Sequence, residues 1–432
     1  MRYVSTRGGE AVPLEVAIMG GTAPDGGLYI PQSLPAFAAG AIPAGPLPAV
    51  ATTFLAPFFA GSALARELPA MAAEALDFPI PLRDLEPGEG GGLSVLELFH
   101  GPTAAFKDVG ARFLAAAMAR IVGAEQDARP ATILVATSGD TGGAVAAAFH
   151  RRPGLRVVVL FPAGRVSPRQ QHQLTCWGDN VTSLAVEGSF DDCQRIVKEA
   201  FADRELATRH RLCSANSINV GRLLPQAAYY AQASLARHAA TGQRSSFIIP
   251  TGNLGNAFAC VWARRLGMPI DRIVLATNAN ATIEDYLATG QWLPRPAVAT
   301  LASAMDVGNP SNMERLQTLA GDAAGVRAEV TAVGVSDDII RATIVDEYRR
   351  HGLAWCPHTA TGLYAYRQLP ADERDGRHWV VVATAHAAKF DTIVEPLLGI
   401  TVPPPPALAS LLALPSRFAT IPASLAGLVP QL

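Results

Sequence analysis

From Leu93 onward, short apolar runs alternate with stretches of helical periodicity, and this alternation limits the folds open to the chain more than any other feature. Ala131 to Ala136 (ATILVA), Arg156 to Phe161 (RVVVLF), Val181 to Val186, Ser246 to Ile249, Arg272 to Ala276 and Trp379 to Ala383 are strand-like. Their near-continuous apolar character fits strands buried on both faces. Helical patterns fill the gaps at Gly142 to Arg151, Asp191 to Ala202, Gly221 to Arg237, Asn256 to Leu266 and Asp337 to Arg350. The pattern predicts an α/β fold with parallel sheets. Ligands of such sheets sit at the carboxyl ends of the strands, so chemistry is sought in the loops that follow these runs.

The 432 residues exceed one ordinary core and predict two or three domains. An N-terminal unit holds a turn at Ala23-Pro24-Asp25-Gly26-Gly27, a strand-like Leu28 to Pro31 and helical pieces broken by prolines. The glycine-rich stretch Pro87 to Gly92 reads as the linker that ends this unit. At the other end, the tail from Pro403 onward reads as an irregular surface arm. With 49% hydrophobic and 17% charged residues, disorder is excluded. A net charge of -2 without a basic run gives no footprint for nucleic acid or an anionic membrane. Gly26 to Ala65 is uncharged, but its prolines divide it into pieces too short to span a bilayer. Five dispersed cysteines with no C-x-x-C pair, and no signal-like apolar run at the start, point to a reducing, cytoplasmic setting and to no metal site.

Lysine is scarce. Of 35 Lys plus Arg only Lys107, Lys198 and Lys389 are lysines. An arginine stays protonated, whereas a desolvated lysine amine can lose its proton and attack an aldehyde carbon. A chain that uses arginine almost everywhere should keep lysine where an amine is needed. Lys107 follows the turn-forming His100 to Phe106 and begins the helical pattern Val109, Phe113, Leu114, Ala117, Met118, Ile121. The alternative for this position is a helix-start lysine facing water.

Four polar segments follow strand-like runs or precede helices. Thr137-Ser138-Gly139-Asp140-Thr141-Gly142-Gly143 offers hydroxyls and a helix N-terminus to an anion, with Asp140 also a candidate N-cap. Thr251-Gly252-Asn253-Leu254-Gly255-Asn256 reads either as a phosphate cradle without fixed positive charge or as a tight turn. Ser214 to Arg222 brings Asn216, Ser217 and an arginine suited to a phosphate or carboxylate. Val382 to Lys389 offers the Thr384 hydroxyl to a ring nitrogen, while helix capping is the alternative role of His386 and Lys389. No G-x-G-x-x-G at a strand end and no P-loop is present, which weakens nucleotide-binding readings. A poised amine, a neutral phosphate cradle, an anion loop and a hydroxyl for a heterocycle nitrogen together describe a pocket for pyridoxal 5'-phosphate.

In these motifs the chain resembles the threonine synthase family of fold-type II pyridoxal-phosphate enzymes. The shared segments are YVSTRG, DGGLYIP, HGPTAAFKD, ATSGDTG, NSINVGR, PTGNLGN, AMDVGNPSNMER and TAHAAKF, in order along the chain. The resemblance implies an N-terminal domain over residues 1–92, a cofactor-binding α/β core over 93–400 with two sheet subdomains, the smaller near 105–215, and a C-terminal arm over 401–432. It implies that Lys107 carries the cofactor covalently, that Gly252, Asn253, Leu254, Gly255 and Asn256 hold its phosphate, that Thr384 meets its pyridine nitrogen and that Asp140 lies beside it. The implied substrate is O-phospho-L-homoserine, converted with water to L-threonine and phosphate by β,γ-replacement. Its carboxylate would lie against Ser138, Gly139 and Thr141, and its phosphate near Asn216, Ser217 and Arg222. A monomer or homodimer is implied. Two positions depart from the family pattern: Ala387 stands where a proline is expected, and Cys176 where a second threonine is expected. Neither assigned group is lost by these changes. Rival readings are β-replacement or dehydration of another, phosphorylated or plain amino acid, and a non-catalytic relative that only binds.

Overall fold

The computed structural model describes residues 1–432 apart from Ala38, Ala39, Glu89, Gly90 and Ala128. The N-terminal unit carries an antiparallel sheet of β1 (Tyr3–Ser5), β2 (Gly8–Val12) and β3 (Tyr29–Pro31), in the order β2-β1-β3. Its helices Leu47–Leu55 and Leu68–Ala75 start with a proline in the first turn, where the missing N–H costs nothing. They pack respectively on the helices Val220–Thr241 and Lys107–Ala124 of the core.

The core begins with a hairpin of β4 (Leu82–Gly88) and β5 (Gly91–Glu97), whose antiparallel register pairs Leu82 with Leu96 and Gly88 with Gly91. The stretch expected as a linker is therefore the tip of this hairpin, with Glu89 and Gly90 outside the described residues. Gly91 and Gly92 serve close packing instead of flexibility. A Cβ on Gly91 would stand 2.9 Å from the Arg377 carbonyl oxygen, and Gly92 adopts φ +124°. Pro87 is tolerated because β4 is an edge strand.

Next come β6 (Ala131–Ala136), β7 (Leu155–Pro162), β8 (Val181–Glu187) and the short β9 (Leu212–Cys213), all parallel. The larger sheet adds β10 (Ser245–Pro250), β11 (Ile270–Thr277), β12 (Thr331–Gly334) and β13 (His378–Ala383), giving the order β12-β11-β10-β13-β5-β4. Every residue of β6, β10 and β13 is buried, as their apolar runs require. The tail is not irregular throughout. It forms β14 (Ala419–Pro422), which pairs parallel with β8 and completes the order β14-β8-β7-β6-β9. Only Ile421 of this strand is buried, so the sequence carries too little alternation to announce it.

The expected helices are present as Asp140–Phe149, Phe190–Ala202, Val220–Thr241, Gly255–Arg265 and Asp337–His351. Phe190–Ala202 opens with a reciprocal cap between Ser189 and Asp192. Lys107–Ala124 runs through the centre of the molecule. Its small residues permit close approach: a Cβ on Gly110 would stand 2.7 Å from the Arg222 carbonyl oxygen. Among the described residues no helix is long and apolar enough to cross a membrane.

Candidate active site

Three parallel neighbours, β10, β13 and β5, send their following loops out of one edge of the larger sheet. The loop after β5 is laced to the loop after β13. Leu98 N–H donates to the Ala383 carbonyl at 3.0 Å, Phe106 N–H to that of Thr384 at 2.8 Å, and His386 N–H to that of Ala104 at 3.0 Å. Ala104 takes a left-handed φ of +55° to make this turn. The lacing sets Lys107 beside Thr384, which is itself buried. The Lys107 amine makes no hydrogen bond among the described residues and lies 4.8 Å from the centroid of the Phe106 ring. Although the side chain keeps some accessible surface, burial lowers its pKa to about 8. Asp140 and Cys356 act against this, while Lys389 and Arg222 reinforce it. About one tenth of the amine is then neutral at pH 7. The surroundings are those of a reactive amine, not of a helix-start lysine in bulk water.

The loop after β10 meets the same region. Leu254 holds a left-handed φ of +64° and opens the helix Gly255–Arg265. Gly252 passes so close to the segment before it in space that a Cβ would stand 2.7 Å from the Met305 Cα. The side chains of this turn do not all point to a ligand. Asn253 donates to the Ser217 hydroxyl at 2.6 Å and accepts from Ser311 N–H at 2.6 Å. Asn256 accepts from the hydroxyls of Tyr229 and Tyr230, the latter at 2.8 Å, while its buried Nδ2 has no partner. The backbone amides of Gly252 to Asn256, at a helix N-terminus, are left as the anion donors.

On the smaller sheet, the loop after β6 is ordered by Thr137, whose hydroxyl accepts from Gly139 N–H at 3.0 Å and Gly142 N–H at 2.9 Å. Ser138 and Thr141 stay partly exposed. Gly139 takes φ +148°, and a Cβ there would stand 2.9 Å from the Gln170 amide. Asp140 is not an N-cap, because its carboxylate is turned inward. Its Oδ1 lies 2.9 Å from Lys389 Nζ and accepts from Gln170 Nε2 at 3.0 Å. Burial opposes its charge, but Lys389 and Lys107 outweigh that and hold the carboxyl well below the usual range.

The segment after β9 contributes Ser217 through Asn253, and Gly255 lies beside it. Asn216 is partly exposed, and its carbonyl accepts from Asn219 N–H at 3.0 Å. Arg222 is buried, donates from Nη1 to the Ala215 carbonyl at 2.7 Å and leaves Nε without a partner. Burial pushes its pKa down to about 10, with Asp108 opposing. Among the described residues the guanidinium has no carboxylate at ion-pair distance, and its charge acts on Lys107.

Three residues of the site escaped the sequence reading. Arg315 is fully buried and donates to the Tyr29 carbonyl at 2.9 Å and the Ile218 carbonyl at 2.6 Å. It also bonds Asn312, whose amide reaches the Asn253 carbonyl at 2.9 Å. His358 accepts from Ala304 N–H through Nε2 at 3.1 Å and packs against the Phe390 ring at a tilt of 56°, its Nδ1 having no partner. Burial pushes its pKa down to about 4, so it is neutral. Gln170 holds Asp140. A polar residue within an apolar or helical pattern was the only available signal. His386 caps the turn Ala387–Phe390 by accepting from Ala388 N–H, so the turn forms without the proline expected at 387. Cys176 is buried at the end of the helix Pro168–Thr175, where its thiol packs without a site role.

These features fit pyridoxal phosphate. A free amine, a glycine turn with no room for a side chain, a helix N-terminus and the unpaired Asn256 Nδ2 are the kinds of group that its aldehyde and phosphate need. Comparison with known proteins agrees. Residues 77–385 match the pyridoxal-phosphate dependent enzyme family, residues 2–76 the threonine synthase N terminus and residues 359–430 the threonine synthase C-terminal family. The chain is 42% identical over 350 residues to threonine synthase of Serratia marcescens, covering 81% of this chain and 79% of that one. A crystal structure of pyridoxal-phosphate-bound threonine synthase from Brucella melitensis superposes with a TM-score of 0.90 at 37% identity, covering 100% and 98% of the two chains. The threonine synthase structure from Escherichia coli gives 0.88 at 35% identity, covering 100% and 99%. With three family matches in chain order and a relative 42% identical over most of both chains, the chain belongs to the threonine synthase family of pyridoxal-phosphate dependent enzymes.

Proposed function

We propose that the chain converts O-phospho-L-homoserine and water to L-threonine and phosphate, as a carbon–oxygen lyase of the phosphate ester. The observation that supports this is the amine of Lys107, which pairs with no acceptor among the described residues, in a fold whose Gly252 to Asn256 turn is tied to Ser217. Bound pyridoxal phosphate supplies the electron sink that makes protons on carbons next to the substrate amine removable. Gly252 to Asn256 would hold the cofactor phosphate through backbone N–H groups, and Thr384 would offer its hydroxyl to the ring nitrogen. Lys107 would hold the cofactor aldehyde and, as a free amine, would take and return protons; a pKa lowered to about 8 suits both tasks. Ser138, Gly139 and Thr141 orient the substrate carboxylate, while Asn216, Ser217 and Arg222 meet its phosphate. Arg222 supports this assignment because it has no acidic partner to satisfy.

The same reading treats the molecule as a monomer or homodimer in the cytoplasm. It divides the chain into an N-terminal unit, a two-sheet core and a C-terminal segment, with the first boundary moved ahead of β4 to keep the hairpin whole. Incubation of purified, cofactor-loaded protein with O-phosphohomoserine should release phosphate and threonine in equal amounts. Phosphate without threonine would replace this reading by simple elimination, and a protein with no visible absorbance after cofactor addition would leave only a binding role.

A further inference from the structure

Lysine scarcity gains a second meaning in the fold. Lys198 is exposed on the helix Phe190–Ala202, but Lys389 is fully buried. A buried ammonium is costly unless it is paired. Lys389 has two partners: Asp140 Oδ1 at 2.9 Å and the Thr103 carbonyl at 2.7 Å. Asp140 comes from the loop after β6 of the smaller sheet. Thr103 belongs to the turn that leads into Lys107, accepts a further bond from Gln173 at 3.1 Å, and donates to Asp108 from N–H at 2.8 Å and from its hydroxyl at 2.7 Å. One ammonium therefore joins the anion loop of one sheet to the lysine loop of the other.

We propose that Lys389 is a positioning residue: by holding the Asp140 carboxylate in direct contact, it keeps that carboxylate from pairing with Lys107 and leaves the Lys107 amine available. This rests on the reading of Lys107 given above. The charges around the two lysines bear it out. Lys389 is faced by Asp140, Asp108, Lys107, His358 and His386, and Lys107 by Asp140, Lys389, Arg222 and Cys356. Asp140 thus acts on Lys107 as well as Lys389, and Lys389 has the contact. Removing Lys389 takes away a neighbouring positive charge and frees Asp140 for Lys107, and both effects favour a proton on the Lys107 nitrogen. Removing the Asp140 charge does the opposite.

The test is the pH titration of the visible absorbance of the holoenzyme, which reports the proton on that nitrogen when the cofactor is attached. Lys389→Met should raise the midpoint by about one pH unit or more. Asp140→Asn should lower it, and the double variant should return close to the parent value. Midpoints that stay at the parent value, or that move in the same direction in both single variants, overturn the proposal. If Lys389→Met is not recovered folded, Asp140→Asn decides: an unshifted or raised midpoint overturns it, and a lowered one supports it. Parent protein without visible absorbance after cofactor addition is a different failure, because it removes the reading of Lys107 and this proposal with it.

Discussion

The Asn253 side-chain amide donates to the Ser217 hydroxyl at 2.6 Å, which ties the turn after β10 in one sheet to the segment after β9 in the other. The proposed cofactor-phosphate turn and the proposed substrate-phosphate segment are therefore mechanically joined. Asn253→Ala removes that bond and the one from Ser311, a loss of about 1–3 kcal/mol. We expect weaker cofactor retention and a raised KM for the phosphorylated substrate, checked by dialysis against cofactor-free buffer and by steady-state kinetics.

Gly252→Ala would place a methyl group 2.7 Å from the Met305 Cα and 3.0 Å from its carbonyl oxygen. Both contacts are backbone, so the turn must move. An overpacking cost of about 1–3 kcal/mol falls on the phosphate site while the global fold is retained. Cofactor titration followed by absorbance should show weaker binding, and the cofactor-free protein should melt a few degrees lower.

Borohydride reduction of the holoenzyme followed by peptide mapping should label Lys107 and neither Lys198 nor Lys389. Lys107→Ala should abolish the label. It should lower turnover by at least about 10²–10⁴-fold, the usual contribution of a positioned acid–base group.

Arg315 braces Tyr29 of the N-terminal unit, Ile218 and Asn312 from a position with no accessible surface. Arg315→Met leaves their oxygens without a donor. The expected loss is about 3 kcal/mol or more, since charged hydrogen bonds to buried oxygens are among the stronger ones. Urea unfolding should show a lower midpoint, and binding of cofactor should weaken because Asn312 supports Asn253.

His358 is held at a pKa of about 4 by burial, against 6.5 in an unfolded chain. Above pH 6.5 neither state binds the proton, and the stability is complete. As pH falls from 6.5 toward 4 the unfolded chain takes up a proton that the folded one refuses, so about 3 kcal/mol of stability is lost across that window. Urea midpoints at about pH 7.5 and about pH 5 should differ less in His358→Gln than in the parent. An equal difference in both would assign the pH dependence to other groups.

Much of this architecture was legible in the chain. The runs that became β6, β7, β8, β10, β11 and β13 are continuous in apolar residues because both faces of those strands are covered, and burial is what a sequence records best. Lys107 stood out because arginine had replaced lysine almost everywhere else, and the Gly-Asn turn because its residue types suit a backbone that must approach an anion. By contrast, β4 and β14 are mostly exposed edge strands whose pairing leaves little trace in residue type.

The amino-acid order determined which segments are buried strands, and it singled out Lys107 and the Gly252 to Asn256 turn as the candidates for the site. Only the tertiary structure decided what those side chains touch. Asp140 reads as a cap or an anion-loop residue until Lys389 arrives from the far end of the chain, and Asn256 has no fixed direction until Tyr229 and Tyr230 take its carbonyl oxygen and leave its amide nitrogen unpaired. Local propensity follows from neighbours along the chain. The charge state and direction of a buried polar group follow from neighbours in space, because in a medium that excludes water each must find its partner within hydrogen-bond reach.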